Sequence, residues 1–162
     1  MNFNKDRKIG TSGEILVVSL YDKCGCLHSE IVNSEFYDII TTGYLEFTTE
    51  VKVDVVERYS GNIAIEYYNP KSNKPSGINN TRADFWVCVL YPQYVWLANT
   101  NVLKDYISKN SPLRTVIGGG DNNSNFHLYK SSKILADIFI RIDNLDDESL
   151  LRVLQDARHI SC

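Results

Sequence analysis

Asp38, Glu50 and Lys52 are the residues of this 162-residue chain whose types and spacing could do chemistry. Eleven residues separate the two acids, and a single valine separates Glu50 from the lysine. From Tyr44 to Val55 the sequence alternates with period two. Leu45, Phe47, Val51, Val53 and Val55 fall on one face of a strand, and Tyr44, Glu46, Thr48, Glu50, Lys52 and Asp54 on the other. Glu50 and Lys52 then project side by side, with Asp54 just beyond. Two carboxylates beside an amine suit metal-assisted phosphodiester hydrolysis. Hard carboxylate oxygens hold Mg²⁺, the metal polarises the phosphate, and the lysine orients water while offsetting developing negative charge. The same pattern equally suits the solvated face of an amphipathic antiparallel strand, laced with cross-strand charge pairs.

The elements that must position these groups can be read from periodicity and turn formers. A helix is capped at Thr11 or Ser12 and runs to about Lys23, with Glu14 in its first turn. A hairpin covers about Phe36 to Val55, and Asn62 to Tyr68 is a third strand. A two-residue turn at Thr42-Gly43 would set Asp38 opposite Phe47, three residues short of Glu50, roughly 10 Å along the strand. A metal shared by Asp38 and Glu50 would need a wider loop near Tyr44, a bulge or strong twist. Asn69 to Gly77 is a polar loop rich in turn formers. Phe85 to Tyr91 and Tyr94 to Ala98 are strands split by Pro92, the first apolar on both faces and so central. Thr100 to Lys109 is a helix, Arg114 to Ile117 is strand-like, and the glycine run from Gly118 leads into a strand at Phe126. That run lacks the Lys-Ser/Thr of a phosphate-cradling loop, and reads as a hairpin connection or a loop reaching a DNA groove. Ser132 to Phe139 and Asp146 to Arg158 are helices. Leu150, Leu151, Val153 and Leu154 give the second an apolar stripe suited to core packing or a dimer seam.

The ordered set of motifs resembles the PD-(D/E)XK nuclease superfamily, in particular its phage and intron-encoded homing endonucleases. The residues that carry the likeness are Glu14, Tyr37-Asp38, Glu50-Val51-Lys52-Val53-Asp54 and Gly61-Asn62-Ile63-Ala64-Ile65-Glu66. Lys74-Pro75-Ser76-Gly77-Ile78, Ala83-Asp84-Phe85-Trp86-Val87, and Gly119-Gly120 before Asn123-Ser124 add to it. The likeness spans about residues 11 to 130, and no proline precedes Asp38, which departs from the motif's name. It implies an α/β fold with a restriction-endonuclease-like core, a mixed central sheet flanked by helices. It further implies one domain over residues 1–162, with a helical C-terminal part from about 131. The implied activity is Mg²⁺-dependent hydrolysis of DNA phosphodiester bonds, with Mn²⁺ able to substitute. Glu14, Asp38 and Glu50 would bind metal, and Asp38, Glu50 and Lys52 would be catalytic. Asp54 and Glu66 would be auxiliary acids. They repeat the spacing of Asp38 and Glu50 without the lysine, and would serve equally in ion pairs with Lys52 or Arg58. Lys71, Lys74 and Arg82, with Ser76, lie among turn formers, which suits a loop gripping the phosphates of double-stranded DNA or an ordinary exposed loop. A homodimer or higher assembly follows from the need to cut two strands. Homing endonuclease, junction resolvase and restriction enzyme share this layout. A non-catalytic DNA-binding module of the same fold is the reading from another class.

Bulk properties set limits around that reading. Hydrophobic residues make up 43% of the chain, enough for a proper core, and no apolar run approaches the ~18 residues of a membrane span. The N-terminus lacks the apolar centre of a signal peptide, so a cytoplasmic setting in a bacterium or phage-infected cell is expected, with the four cysteines reduced. A net charge of −3 runs against a nucleic-acid binder, although carboxylates that recruit metal ions restore positive charge locally. Cys24, Cys26 and His28 hint at metal-ligand spacing without a distal partner pair. His127 and His159 pair with no nucleophile, Cys88 reads as a small core residue, and Trp86 and Trp96 read as core rather than base-stacking residues.

Overall fold

The structure, a computed structural model, describes residues 3–118 and 124–158. Among the described residues ten strands form two sheets. In the first, β1 (Leu27–Ile31), β2 (Ile39–Gly43), β3 (Phe47–Asp54), β6 (Phe85–Leu90), β7 (Tyr94–Asn99) and β10 (Ile140–Arg141) lie in that order. Only β3 and β6 pair in parallel, so the sheet is mixed. The second sheet is antiparallel, in the order β5 (Lys74–Pro75), β4 (Asn62–Asn69), β9 (Ser124–Lys130), β8 (Arg114–Gly118). A parallel pair needs a long crossover. Here β4, β5 and a 3₁₀ turn (Gly77–Asn79) supply it between β3 and β6.

All six side chains of β6 are buried, because both faces of the first sheet are covered. Phe85, Val87 and Val89 join a cluster with Val17, Leu20 and Tyr21 of α1 (Phe3–Asp22), and with Leu150, Leu154 and Ala157 of α5 (Asp147–Arg158). Trp86, Cys88 and Leu90 point the other way, into a cluster with Ile63 and Ile65 of β4. Leu103 of α3 (Thr100–Lys109) and Ile134 of α4 (Ser131–Ile138) complete it. Every methylene buried this way stabilises the fold by about 0.8 kcal/mol. The core assignments of Cys88 and of the α5 stripe hold.

Three expectations change. Helix α1 begins well before Thr11, so Glu14 sits in the body of the helix, and the Ser12 hydroxyl donates to Lys8 O instead of capping a terminus. The strand from Asn62 belongs to the second sheet, not to a single central one. A short α2 (Glu57–Ser60) ends at Gly61 in the left-handed region (φ 62°), and the chain turns away from β3. Strands β1 and β10 were not anticipated; both are edge strands, too short or too polar to carry a clear alternation. No described helix is long and apolar enough to cross a membrane. Residues 119–123 of the glycine run, and His159, lie outside the described residues.

Candidate active site

The hairpin register decides whether Asp38 can reach Glu50. Strand β2 pairs with β3 as Ile39↔Thr49, Ile40↔Thr48 and Thr41↔Phe47, leaving the wide connection 42–46 in place of a two-residue turn. Gly43 makes the bend at φ 109°, where an added Cβ would lie 2.4 Å from Cys26 O. Continued by one residue, this register sets Asp38 opposite Glu50. The backbone confirms the placement: Asp38 N donates to Thr49 O (2.9 Å), and Val51 N donates to Asp38 Oδ2 (2.7 Å).

Glu50 is only 8% exposed, so at this position the charged face of β3 is not a solvated surface. The covering elements explain why. Trp86 pairs with Glu50 in the parallel ladder and forms part of the wall beneath it. Lys52 Nζ lies 2.5 Å from Glu50 Oε1 and 5.7 Å from the centre of the Trp86 ring. Thr81 Oγ1 stands 3.3 Å from Glu50 Oε2 and 2.8 Å from Phe36 O. Its one proton can serve only one of them, and the nearer carbonyl takes it, leaving Glu50 Oε2 without a full donor.

Helix α1 brings the third acid. Gly13 lies so close to β3 that an added Cβ would be 2.3 Å from Val53, and that contact sets neighbouring Glu14 beside the strand. Burial pushes the Glu14 carboxyl up, helped by Asp38 and opposed by Lys52, so the three groups feel one another. Burial likewise pushes Glu50 up; the Lys52 ammonium opposes this and Asp38 adds to it. For Lys52, burial works against the ammonium, but Glu50, Asp38 and Glu66 together outweigh it and hold the amine protonated above its usual range. A half-buried ammonium is thus faced by several carboxylates. Desolvation makes such a cluster a poor source of stability, and perturbed groups of this kind gather at functional sites.

The structure brings Asp38, Glu50 and Lys52 together and places Glu14 and Glu66 within electrostatic reach of them, while Asp54 is spent elsewhere. Asp54 Oδ1 accepts from Val56 N (2.8 Å) and Glu57 N (2.9 Å), and so fixes the turn into α2. Glu66 accepts from Ser124 Oγ (2.7 Å). Gly77 (φ 50°) covers it, since any Cβ there would strike Glu66 O at 2.3 Å. The expected DNA contacts do not form one patch. Lys71 and Lys74 are exposed at the β4–β5 hairpin, Ser76 Oγ is buried without a hydrogen-bond partner, and the Arg82 guanidinium stacks 4.0 Å over Phe36. Thr81 was missed: an isolated threonine in a polar loop carries no signal of its own. Cys24, Cys26 and His28 do not gather, and Tyr67 stacks on His127 at 4.0 Å.

Three carboxylates of this type suit a hard divalent ion. Among the described residues, however, no three acids, histidines or cysteines converge closely enough to hold one. The Lys52 ammonium sits on the Glu50 oxygen that a metal would take, and Asp38 Oδ1 has no hydrogen bond among the described residues. The donor types are those a hard divalent ion takes, but the side chains as they stand do not converge on one, and the ammonium is the resident counter-ion of Glu50. A cleft of about 290 Å³, walled by α1 and the carboxyl ends of β3 and β6, is lined by Leu16, Val53, Val55 and Val89 and lacks any acid. No family model, curated protein or solved structure matches the chain.

Proposed function

We propose that the chain is a metal-dependent endonuclease acting on double-stranded DNA, built on a restriction-endonuclease-like core. The observation that carries this reading is buried Glu50 facing half-buried Asp38 across the hairpin, with the Lys52 ammonium on Glu50 Oε1. Asp38 and Glu50 would hold the cation, and Glu14 would complete the acidic wall. A Mg²⁺ or Mn²⁺ ion bound there would polarise the scissile phosphate and acidify a bound water.

Lys52 acts as a cation and not as a free base, because three carboxylates keep it protonated. Its ammonium donates to the phosphate oxygen on which charge develops and positions the attacking water. Such help counts most in the transition state, so it raises turnover more than affinity. Trp86 and the second sheet exclude bulk water beneath the pair, and that strengthens each of these interactions. Cutting both strands requires two such sites, and a two-fold homodimer supplies them. A homing endonuclease is the role we favour, on the sequence motifs; a junction resolvase is the nearest other.

The test is nicking of supercoiled plasmid with Mg²⁺, with Ca²⁺ and with EDTA, followed by linear and four-way-junction DNA. Cleavage only with Mg²⁺ or Mn²⁺ is expected. Binding without cleavage under every metal condition would leave a non-catalytic DNA-binding module as the better reading. Cutting at one long defined site marks the homing role, and preference for the junction marks the resolvase.

A further inference from the structure

A second polar cleft, of about 210 Å³, lies where β6 begins and α3 starts, lined by Arg82, Asp84, Asn99, Asn101, Lys104 and Arg158. Three cations face one carboxylate there, in a protein whose net charge is −3. Asp84 is already committed, since Thr48 N (2.7 Å) and Thr48 Oγ1 (2.9 Å) both donate to its Oδ2. Asn99 is also committed: its amide donates to Ala157 O (2.8 Å), and its carbonyl oxygen accepts from Asn101 N and Val102 N. The cations are not neutralised. Among the described residues Arg82, Lys104 and Arg158 have no acidic partner. Arg82 is held in place by stacking on Phe36, and Lys104 by donating to Thr81 O at 3.0 Å.

The cleft is tied to the acidic site through one residue. Thr81 accepts from Lys104 at its carbonyl, approaches Glu50 Oε2 with its hydroxyl, and is followed directly by Arg82. Phe36, which carries the Arg82 guanidinium, lies two residues before Asp38. A strand whose scissile phosphate met Glu50 and Lys52 would therefore carry a neighbouring phosphate towards this cleft. We propose that Arg82, Lys104 and Arg158 form a clamp for a backbone phosphate of the DNA, flanking the one to be cut. This assignment rests on the nuclease reading. It places the phosphate-gripping charge just before β6, in α3 and at the end of α5, not at Lys71 and Lys74. The guanidinium groups donate to the non-bridging oxygens in the geometry that suits them, and Lys104 adds a point charge.

The test is binding of a labelled duplex in Ca²⁺, read by fluorescence anisotropy between about 50 and 200 mM salt. Wild-type full-length chain is compared with Arg82→Ala, Lys104→Ala, Arg158→Ala, the triple variant of these and Lys71→Ala. Because the three share one phosphate, the triple variant should flatten the logarithmic salt slope by about 0.9, each single variant by part of that, and Lys71→Ala by less than any of them. Lys104→Arg should restore the slope. Arg158→Ala guards against misfolding, because Arg158 holds no other described part of the fold in place. A wild-type slope in the triple variant, with Mg²⁺-dependent plasmid cleavage intact, would overturn the clamp and leave the nuclease reading standing. Stabilisation by free inorganic phosphate at matched ionic strength, with unchanged DNA slopes, would also overturn it. Failure of the wild-type chain to cut or bind any DNA removes both.

Discussion

Two pairs of acids in this chain have the same spacing and opposite fates. Asp38 with Glu50 and Asp54 with Glu66 each enclose eleven residues, and each second acid lies on a strand. Asp38 spends one carboxylate oxygen on Val51 N and keeps the other without a hydrogen bond among the described residues, facing Glu50 across an antiparallel ladder. Asp54 spends Oδ1 on two backbone amides of a turn and Oδ2 on Ala64 N at 3.4 Å. Glu66 lies in the other sheet, bonded to Ser124. What separates the pairs is free lone pairs and strand pairing, not distance along the chain. Only the first pair also has an amine, and that amine is half-buried against it.

The sharpest way to break this comparison is to remove the amine. Lys52→Met should lower plasmid cleavage by about 10²–10³-fold, the usual cost of losing one transition-state donor, with DNA affinity in Ca²⁺ little changed. A variant that cuts at the wild-type rate would move the chemistry away from Glu50. Next come the acids themselves. Asp38→Asn and Glu50→Gln should each abolish measurable Mg²⁺-dependent cleavage, whereas Glu66→Gln should lower it by only ~10–100-fold, as groups behind the ligands do. If Glu66 proves indispensable and Glu50 dispensable, the roles of the two pairs are exchanged.

A milder probe uses protons. Burial raises the Glu50 carboxyl, so the folded chain holds that proton more tightly than the unfolded chain does. Its favourable contribution is complete below about pH 4.3, the ordinary glutamate value, and is lost as pH rises through the folded value. A metal ion needs the ionised form and competes with that proton. The rise in melting temperature produced by Ca²⁺ should therefore be smallest near the ordinary glutamate value and grow as pH rises above it. Glu50→Gln should remove the trend. A Ca²⁺ shift independent of pH in the wild type would place the ion elsewhere.

Much of this frame was legible because local rules governed it. The period-two alternation of Phe47 to Asp54 placed Glu50 and Lys52 on one face, and the unbroken apolar run at Phe85 announced a central strand buried on both sides. The helix at Thr100–Lys109 was readable from its start, and Asn99 caps it through Asn101 N and Val102 N. What stayed hidden was non-local. The wide 42–46 connection that aligns Asp38 with Glu50 could be named as a requirement but not chosen, since Thr42-Gly43 is an equally good tight turn. The departure of β4 into a second sheet depends on α2 and Gly61, four helical residues and a left-handed glycine that no periodicity predicts. Thr81, Lys104 and Arg158 meet near the site only through tertiary packing, so no spacing could have joined them to Glu50.

The smallest expected effect isolates the structural member of the second pair. Asp54→Ala removes the acceptor of Val56 N and Glu57 N, and the turn into α2 loses the group that satisfies its first amides. Loss of a side-chain cap costs about 1 kcal/mol. Chemical denaturation should show a destabilisation of that order, with an unchanged slope against denaturant because the fold is retained. Cleavage measured well below the unfolding midpoint should stay within about tenfold of wild type, less than any change at Asp38 or Glu50. Asp54→Asn keeps one acceptor oxygen and should recover most of the stability. An Asp54→Asn protein as stable as wild type yet inactive would show that the carboxylate charge itself is used, and would bring Asp54 back among the groups that act on the phosphate.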